Sequence, residues 1–155
     1  MRRKHRQEKE YEPDLIYKSP LATRFINYLM KDGKKSVAQR VFYKTMESIN
    51  KQTKQDSLGI FDLAIKNVSP ELEIKSRRIG GANYQVPQAV PEYRKTTLAC
   101  CWIINMARAK KGKAMAERLA EELILASKNE GAAIKKKLDT HRMAEANRAF
   151  ARFRF

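Results

Sequence analysis

The hydrophobic period of this 155-residue chain changes once, between Pro70 and Pro91, and that change restricts the fold more than any other feature. On either side of it, apolar residues recur every three to four positions, the spacing of an amphipathic helix. Inside it, Leu72, Ile74 and Ser76 alternate with Glu73, Lys75 and Arg77. After Gly80-Gly81, Tyr84 and Val86 alternate with Gln85 and Pro87. A period of two on both sides of a glycine pair predicts strand, turn, strand. Glycine supplies positive φ in such a turn at little steric cost. Pro87 is tolerated because a lone ribbon has only edge strands. A two-stranded ribbon is marginal alone in water, so it must pack on a body or be held by a partner. Leu72, Ile74 and Val90 are expected to pack its base. The outer half, Lys75 to Gln85, offers mainly charge, glycine and one aromatic, and is not expected to bury itself.

Six helices are expected around that ribbon. Ser19-Pro20 is an N-cap followed by proline at the first helical position. Leu21, Phe25, Tyr28 and Leu29 follow on one face, and Asp32-Gly33 is the stop. The second helix carries Val37, Val41, Thr45 and Ile49, with Ala38, Phe42 and Met46 beside them, to about Gln52. Asp56 or Ser57 caps the third, whose face is Leu58, Phe61, Ile65 and Val68, and Pro70 closes it. Pro91 opens the fourth, with Leu98, Cys101, Trp102 and Met106 on its face and Gly112 at its end; Trp102 reads as core. The fifth runs from about Lys113 to Asn129 through Met115, Leu119, Leu123 and Ala126, with Gly131 as stop. The sixth starts near Ala132, carries Ile134 and Leu138, and continues through "MAEANRAFA". No repeat or interdomain linker is evident. The expected fold is mainly α: a single domain over residues 1–155, a bundle of about six helices with one protruding two-stranded β-hairpin (72–90) between helices three and four. A basic N-terminal arm (1–18) precedes it.

Charge narrows the function. Lys plus Arg is 33 against 17 for Asp plus Glu, a net charge of +16. Such a field favours a polyanion, either nucleic acid or an acidic membrane surface. Hydrophobic residues at 43% are enough for a folded chain rather than a disordered tail. No apolar run approaches the roughly 18 to 20 residues of a membrane span. The opening "MRRKHRQEKEYEPD" lacks the apolar segment of a secretory signal. Cys100 and Cys101 are adjacent, which suits neither a structural disulfide nor a zinc site with CxxC spacing. They read as small apolar residues in a reducing, cytoplasmic setting.

Catalytic chemistry is not expected. Gly33-Lys34-Lys35-Ser36 brushes against a P-loop, but that motif needs glycine where Tyr28 stands and Ser or Thr where Lys35 stands. His5 and His141 have no matched carboxylate or cysteine spacing, so no metal or cofactor is expected, and no nucleophile has an evident base.

The basic residues cluster at loops and helix ends. Arg2, Arg3, Lys4 and Arg6 lie in the arm, Lys34 and Lys35 at the second helix start, and Lys75, Arg77 and Arg78 on the ribbon. Arg94 and Lys95 open the fourth helix, while Arg108, Lys110, Lys111 and Lys113 surround the next turn. Lys135, Lys136 and Lys137, then Arg142, Arg148, Arg152 and Arg154, run through the C-terminal part. Dispersed clusters of this kind suit multi-site phosphate contact. A ribbon with basic strands suits a groove or a folded RNA surface. Two rivals stand beside an RNA-binding structural protein. A helical DNA-binding regulator would use "GKKSVAQRVFYK" as its reading helix, which has no helix-turn-helix partner and leaves the ribbon idle. A non-specific RNA chaperone needs only the charge.

Three stretches carry a resemblance: "DGKKS" at 32–36, "KSRRIGGANYQVP" at 75–87 and "DTHRMAEANRAFARFRF" at 139–155. They closely resemble the bacterial family of ribosomal protein seven of the small subunit, in its order and spacing, from about Pro13 to the C-terminus. Ala82-Asn83 and Cys100-Cys101 are small departures from its usual pattern. The resemblance implies a non-enzymatic constituent of the small ribosomal subunit. It implies direct binding to the 3′ major domain of small-subunit ribosomal RNA, nucleation of head assembly, and a place near the tRNA exit site and the mRNA exit channel. Carried onto this chain, rRNA contacts fall on the basic tail with Arg2, Arg3, Lys4 and Arg6, and on Lys34, Lys35, Lys75, Arg77, Arg78, Arg94 and Lys95. Lys113, Met115 and Arg118 are additions of the same kind. Gly80, Gly81, Ala82, Asn83 and Tyr84 would face exit-site tRNA and mRNA. Arg142, Arg148, Arg152 and Arg154 would lie near RNA or a neighbour, ribosomal protein eleven of the small subunit.

Overall fold

The structure, a computed structural model, describes residues 11–153. The arm residues Arg2, Arg3, Lys4 and Arg6, and Arg154 at the other end, lie outside the described residues. Six helices and one hairpin follow in the expected order: α1 (Pro20–Leu29), α2 (Lys35–Thr53), α3 (Ser57–Val68), β1 (Leu72–Ile79), β2 (Ala82–Ala89), α4 (Glu92–Ala109), α5 (Met115–Ser127) and α6 (Ala132–Ala146). A 3-10 helix, Arg148–Phe153, follows α6. Local chemistry explains the boundaries. The Ser19 side chain accepts from the Ala22 N–H with Pro20 at the first position, and the Asp56 carboxylate accepts from Leu58 and Gly59. Asp32 and Gly33 both have positive φ, +51° and +71°, in the turn between α1 and α2.

The core is built around α5, which packs on α2, α3 and α4. Its buried stripe is Ala116, Leu119, Ala120, Leu123 and Ala126. Phe25, Phe42 and Phe61, fully buried, join α1, α2 and α3 in one aromatic cluster. Phe61 meets the other two rings at near-perpendicular angles, with centroids 5.2 and 5.6 Å away. That geometry places ring edges on ring faces and adds to the burial of the rings themselves.

Several expected faces shift. On α4 the residues turned to the core are Ala99, Cys100, Ile103, Ile104 and Ala107, not the stripe Leu98, Cys101, Trp102 and Met106. Small side chains at 99, 100 and 107 let the helix approach α5 and α3, and Trp102 and Met106 flank the contact half-buried. On α6 the buried residues are Ala133, Ile134, Thr140 and Ala144, while Leu138 is 58% exposed. Lys137 covers that side instead, its Nζ donating to the Asn67 carbonyl at 2.7 Å. Val37 is half exposed, while its neighbour Ala38 is the residue of that turn that enters the core. The sixth helix does not run through "MAEANRAFA"; it stops at Ala146 and tightens into the 3-10 helix.

The expected arm also ends earlier than Lys18. Asp14 is buried: one carboxylate oxygen accepts from the Ile16 and Tyr17 N–H groups and the other from the Tyr43 hydroxyl at 2.9 Å. Burial, then the Asp14 carboxylate, push the Tyr43 hydroxyl up to about 12. The Tyr17 ring lies edge-on against Phe42, so this segment is part of the body.

The hairpin register pairs Leu72 with Ala89, Arg77 with Tyr84, Arg78 with Asn83 and Ile79 with Ala82. Gly80 and Gly81 have φ of +56° and +89°, the two successive positive values of a type I′ turn. Alternation then sets two faces. The face carrying Glu73, Val86 and Tyr84 turns inward: Val86 and Glu73 are buried, as is Val90 just beyond the ribbon. Leu72 and Ile74, expected to pack the base, lie on the other face and are half-buried. The outer half is not unsupported either. The Tyr84 ring packs on Phe150 of the 3-10 helix, centroid to centroid 5.3 Å.

Candidate nucleic-acid interface

The ribbon base is fastened to the body by polar contacts. Glu73 places one carboxylate oxygen 2.7 Å from Arg94 Nε and the other 3.1 Å from Lys75 Nζ. Burial alone would raise the Glu73 carboxyl, but hydrogen bonds from Arg94 and then Lys75 outweigh it and hold the group below the usual glutamate value. One residue earlier in sequence than β1, the Glu71 N–H donates to His141 Nε2 at 3.2 Å, which ties the ribbon to α6. The start of α4 is tied to α1 as well. Arg24 donates to the Tyr93 carbonyl and to the Thr97 hydroxyl, and Thr97 also meets the Tyr28 hydroxyl at 3.1 Å. Lys95 pairs with Glu92 one turn back at 2.8 Å. Arg78 is exposed on the face opposite the packed one, and Arg77 shares the inward face with Tyr84.

The other end of α4 carries a second basic surface. Arg94 and Arg108 are fourteen residues apart on one helix, which separates them by about 21 Å along its axis. Arg108 donates to the Leu29 carbonyl at 2.9 Å and so joins the end of α4 to the end of α1. Beside it lies an open depression of about 200 Å³ lined by Leu29, Lys31, Lys34, Val41, Arg108 and Met115. Lys34 and Met115, eighty-one residues apart in sequence, therefore share one surface. Lys35 turns away, lining a separate recess with Pro13, Thr23 and Gln39.

Other expected contacts have work inside the protein. Arg118 donates to the Lys110 and Arg108 carbonyls and braces the loop between α4 and α5. Lys113 pairs with Glu121. Lys110 sits 2.8 Å from the Glu122 carboxylate, whose side chain is fully buried on α5. By contrast Lys34, Lys35, Arg78 and Lys111 are exposed and pair with no carboxylate among the described residues. At the C-terminal end Arg142 and Arg152 are exposed, and Arg148 pairs with Glu145 at 3.3 Å.

The ribbon, Arg94 and Lys95 thus gather at one end of α4, and Lys34 and Met115 at the other. Glu73, Lys31 and the Tyr84–Phe150 contact are functional candidates that sequence reasoning missed. Glu73 sits in the alternation as an ordinary outward-facing acid, and nothing in its spacing marks it as buried. The chemistry available is that of anion binding. Among the described residues no cluster of His, Cys, Asp or Glu is placed to hold a metal ion. Burial pushes the Cys100 thiol up to about 12, far from a thiolate. No helix among the described residues is long and apolar enough to cross a membrane.

Comparison with known proteins gives the family. The sequence profile of the family described as ribosomal protein S7p/S5e matches residues 1–148. A small ribosomal subunit protein uS7 from Fervidobacterium nodosum is 53% identical over 155 residues, covering all of both chains. One from Thermotoga maritima is 52% identical, again over the whole of both, and one from Magnetococcus marinus is 52% identical over 99% of each. The chain belongs to the ribosomal protein S7p/S5e family, structural and non-enzymatic constituents of the small ribosomal subunit.

Proposed function

We propose that this chain, acting as one RNA-binding domain in the cytoplasm, binds the 3′ major domain of small-subunit ribosomal RNA directly and nucleates assembly of the subunit head. The observation that carries this reading is the placing of cations towards both ends of α4: exposed Arg78 and half-exposed Arg94 at the ribbon, and exposed Lys34 and Lys31 around the depression beside Arg108, which lies about 21 Å along the helix from Arg94. Two separated basic surfaces towards the two ends of one helix fix orientation on a folded polyanion, whereas non-specific charge needs no such frame. Family membership supports RNA as the ligand. The ribbon, idle in a helical DNA-binding regulator, is fastened at its base and near its tip as a rigid probe. The tip, Gly80 to Asn83, is exposed and carries no Lys or Arg, so it adds little attraction to phosphate. It faces exit-site tRNA and mRNA, with Tyr84 holding the ribbon from beneath. Arg142, Arg148, Arg152 and Arg154 lie near RNA or ribosomal protein eleven.

The test separates the strands from the tip. Arg77→Ala with Arg78→Ala should weaken binding to the 3′ major-domain fragment by about 1–3 kcal/mol, the scale of hydrogen bonds to charged groups. Removing Ile79 and Ala82, one residue from each strand, keeps the Arg78–Asn83 pairing and the glycine turn. That shortened ribbon should bind the isolated fragment as the parent does and alter tRNA release or reading-frame maintenance in ribosomes. Loss of fragment binding in the shortened ribbon, with full binding by the double arginine variant, would reverse the assignment.

A further inference from the structure

We propose that Glu73, an acid inside a surface that binds a polyanion, is a positioning residue for RNA contact: it aims Arg94 and Lys75 together at one phosphate. The inference rests on the RNA-binding reading above. The Glu73 side chain is 9% exposed, and its two oxygens are divided between the two cations, Oε2 to Arg94 at 2.7 Å and Oε1 to Lys75 at 3.1 Å. Lys75 belongs to β1 and Arg94 to α4, so the carboxylate joins cations from two different elements. Arg94 uses Nε for this contact, and its side chain makes no other hydrogen bond among the described residues. Its two terminal nitrogens are left to reach outward from a side chain that is 40% exposed, beside a Lys75 that is 48% exposed. The trio keeps a net charge of one positive unit. Without Glu73 two half-exposed cations would repel and swing apart; with it they stand side by side, set for the non-bridging oxygens of a phosphodiester.

Two simpler accounts predict different results. If the pairs were only surface salt bridges, they would matter little, and Glu73→Gln would tighten RNA binding by raising the net charge by one. If Glu73 were only a pin for the ribbon base, the variant would lose stability and bind RNA in proportion to its folded fraction.

The experiment measures dissociation constants of the full chain for the 3′ major-domain fragment and for poly(U), with Glu73→Gln, Arg94→Ala and the double variant. Glu73→Gln should bind the fragment roughly 3- to 10-fold more weakly, as expected for the partial loss of charge-assisted contacts. Once Arg94 is alanine, Glu73→Gln should change binding by less than about twofold, because nothing remains to aim. In the NMR spectrum, the Arg94 Nε–Hε signal should be resolved in the parent and lost in Glu73→Gln while the backbone spectrum stays folded. Equal or tighter binding by Glu73→Gln, or the same loss in the Arg94→Ala background, would overturn the proposal. Failure of the RNA reading itself looks different: the parent would bind poly(U) as tightly as the fragment. In that case the same comparison on poly(U) decides the role of Glu73, weaker binding supporting it and equal binding removing it. Should Glu73→Gln not fold, Arg94→Lys makes the same test. It keeps the charge but cannot hold the carboxylate with one nitrogen and a phosphate with others, so unchanged affinity would overturn the proposal.

Discussion

The Tyr84 ring, near the far end of the ribbon, lies 5.3 Å from the Phe150 ring, close to the end of the chain, across sixty-six residues of sequence. The 3-10 helix that carries Phe150 therefore serves as a strut under β2. Phe150→Ala should remove an aromatic contact worth about 0.5–1.5 kcal/mol locally. Amide hydrogen exchange is the measurement. Ribbon amides at residues 82–86 should exchange several-fold faster, while the α5 amides keep their protection, since α5 takes no part in the contact. Uniform protection in the variant would show that the ribbon stands without the strut.

Gly131 and Glu122 form a second device. Gly131 has φ +96°, and a β-carbon there would sit 3.1 Å from both Glu122 Oε1 and Leu125 Cβ. That same Oε1 accepts from the Ala133 N–H at 2.9 Å and so satisfies the start of α6. Gly131→Ala should cost about 1–3 kcal/mol in chemical denaturation, through backbone strain and displacement of the carboxylate. Glu122→Gln should cost a similar amount, about 1–3 kcal/mol, because Lys110 loses its buried partner. The two effects should not add, since both act on one carboxylate.

Trp102 is half-buried on the flank of α4, against the core rather than in it. Trp102→Ala should therefore cost about 1–3 kcal/mol, below the roughly 3–5 kcal/mol of a fully buried tryptophan. RNA affinity should follow the folded fraction alone. A variant that melts like the parent but no longer binds RNA would make Trp102 a contact residue.

The type and order of the elements were legible because each has a local cause. Ser19 and Asp56 cap helices with their side chains, Pro91 with its fixed φ precedes the first residue of α4, and Gly80-Gly81 sets the hairpin turn. Faces were less legible. On α4 large apolar residues and small ones offer two stripes about one residue apart, and the sequence favours the larger. The fold chose Ala99, Cys100 and Ala107 for close helix approach. The basic clusters of the interface were visible as charges. What they touch was not. Glu73, Glu121 and Glu122 each take a cation through contacts set by tertiary packing, and no local pattern separates Lys110 and Lys113, which are paired, from Lys34 and Lys111, which are not.

His141 should make stability depend on pH. Its Nε2 accepts the Glu71 N–H, which needs the neutral ring, and burial, then Lys137, lower its pKa against a smaller opposing effect of Glu71. A histidine whose folded pKa lies below its unfolded value of roughly 6.5 leaves the folded state holding fewer protons than the unfolded one. Its stabilising contribution is complete above that unfolded value and declines as pH falls towards the folded pKa. Glu73, whose pKa is lowered, is lost only further into acid, as pH falls through its folded value. Thermal melts of His141→Gln against the parent should therefore diverge near neutral pH and converge as pH falls from about 7 to 5. Parallel curves across that range would exclude His141 as the source.

The most direct test of an RNA-binding structural protein is binding of the labelled 3′ major-domain fragment in the presence of excess duplex DNA or unrelated RNA, repeated from 50 to 200 mM salt. Contact with roughly 6 to 10 phosphates predicts an affinity loss of about 10³- to 10⁵-fold over that range. The fragment should resist displacement by both competitors at every salt concentration. Equal displacement by duplex DNA, or an affinity nearly flat in salt, would contradict the account.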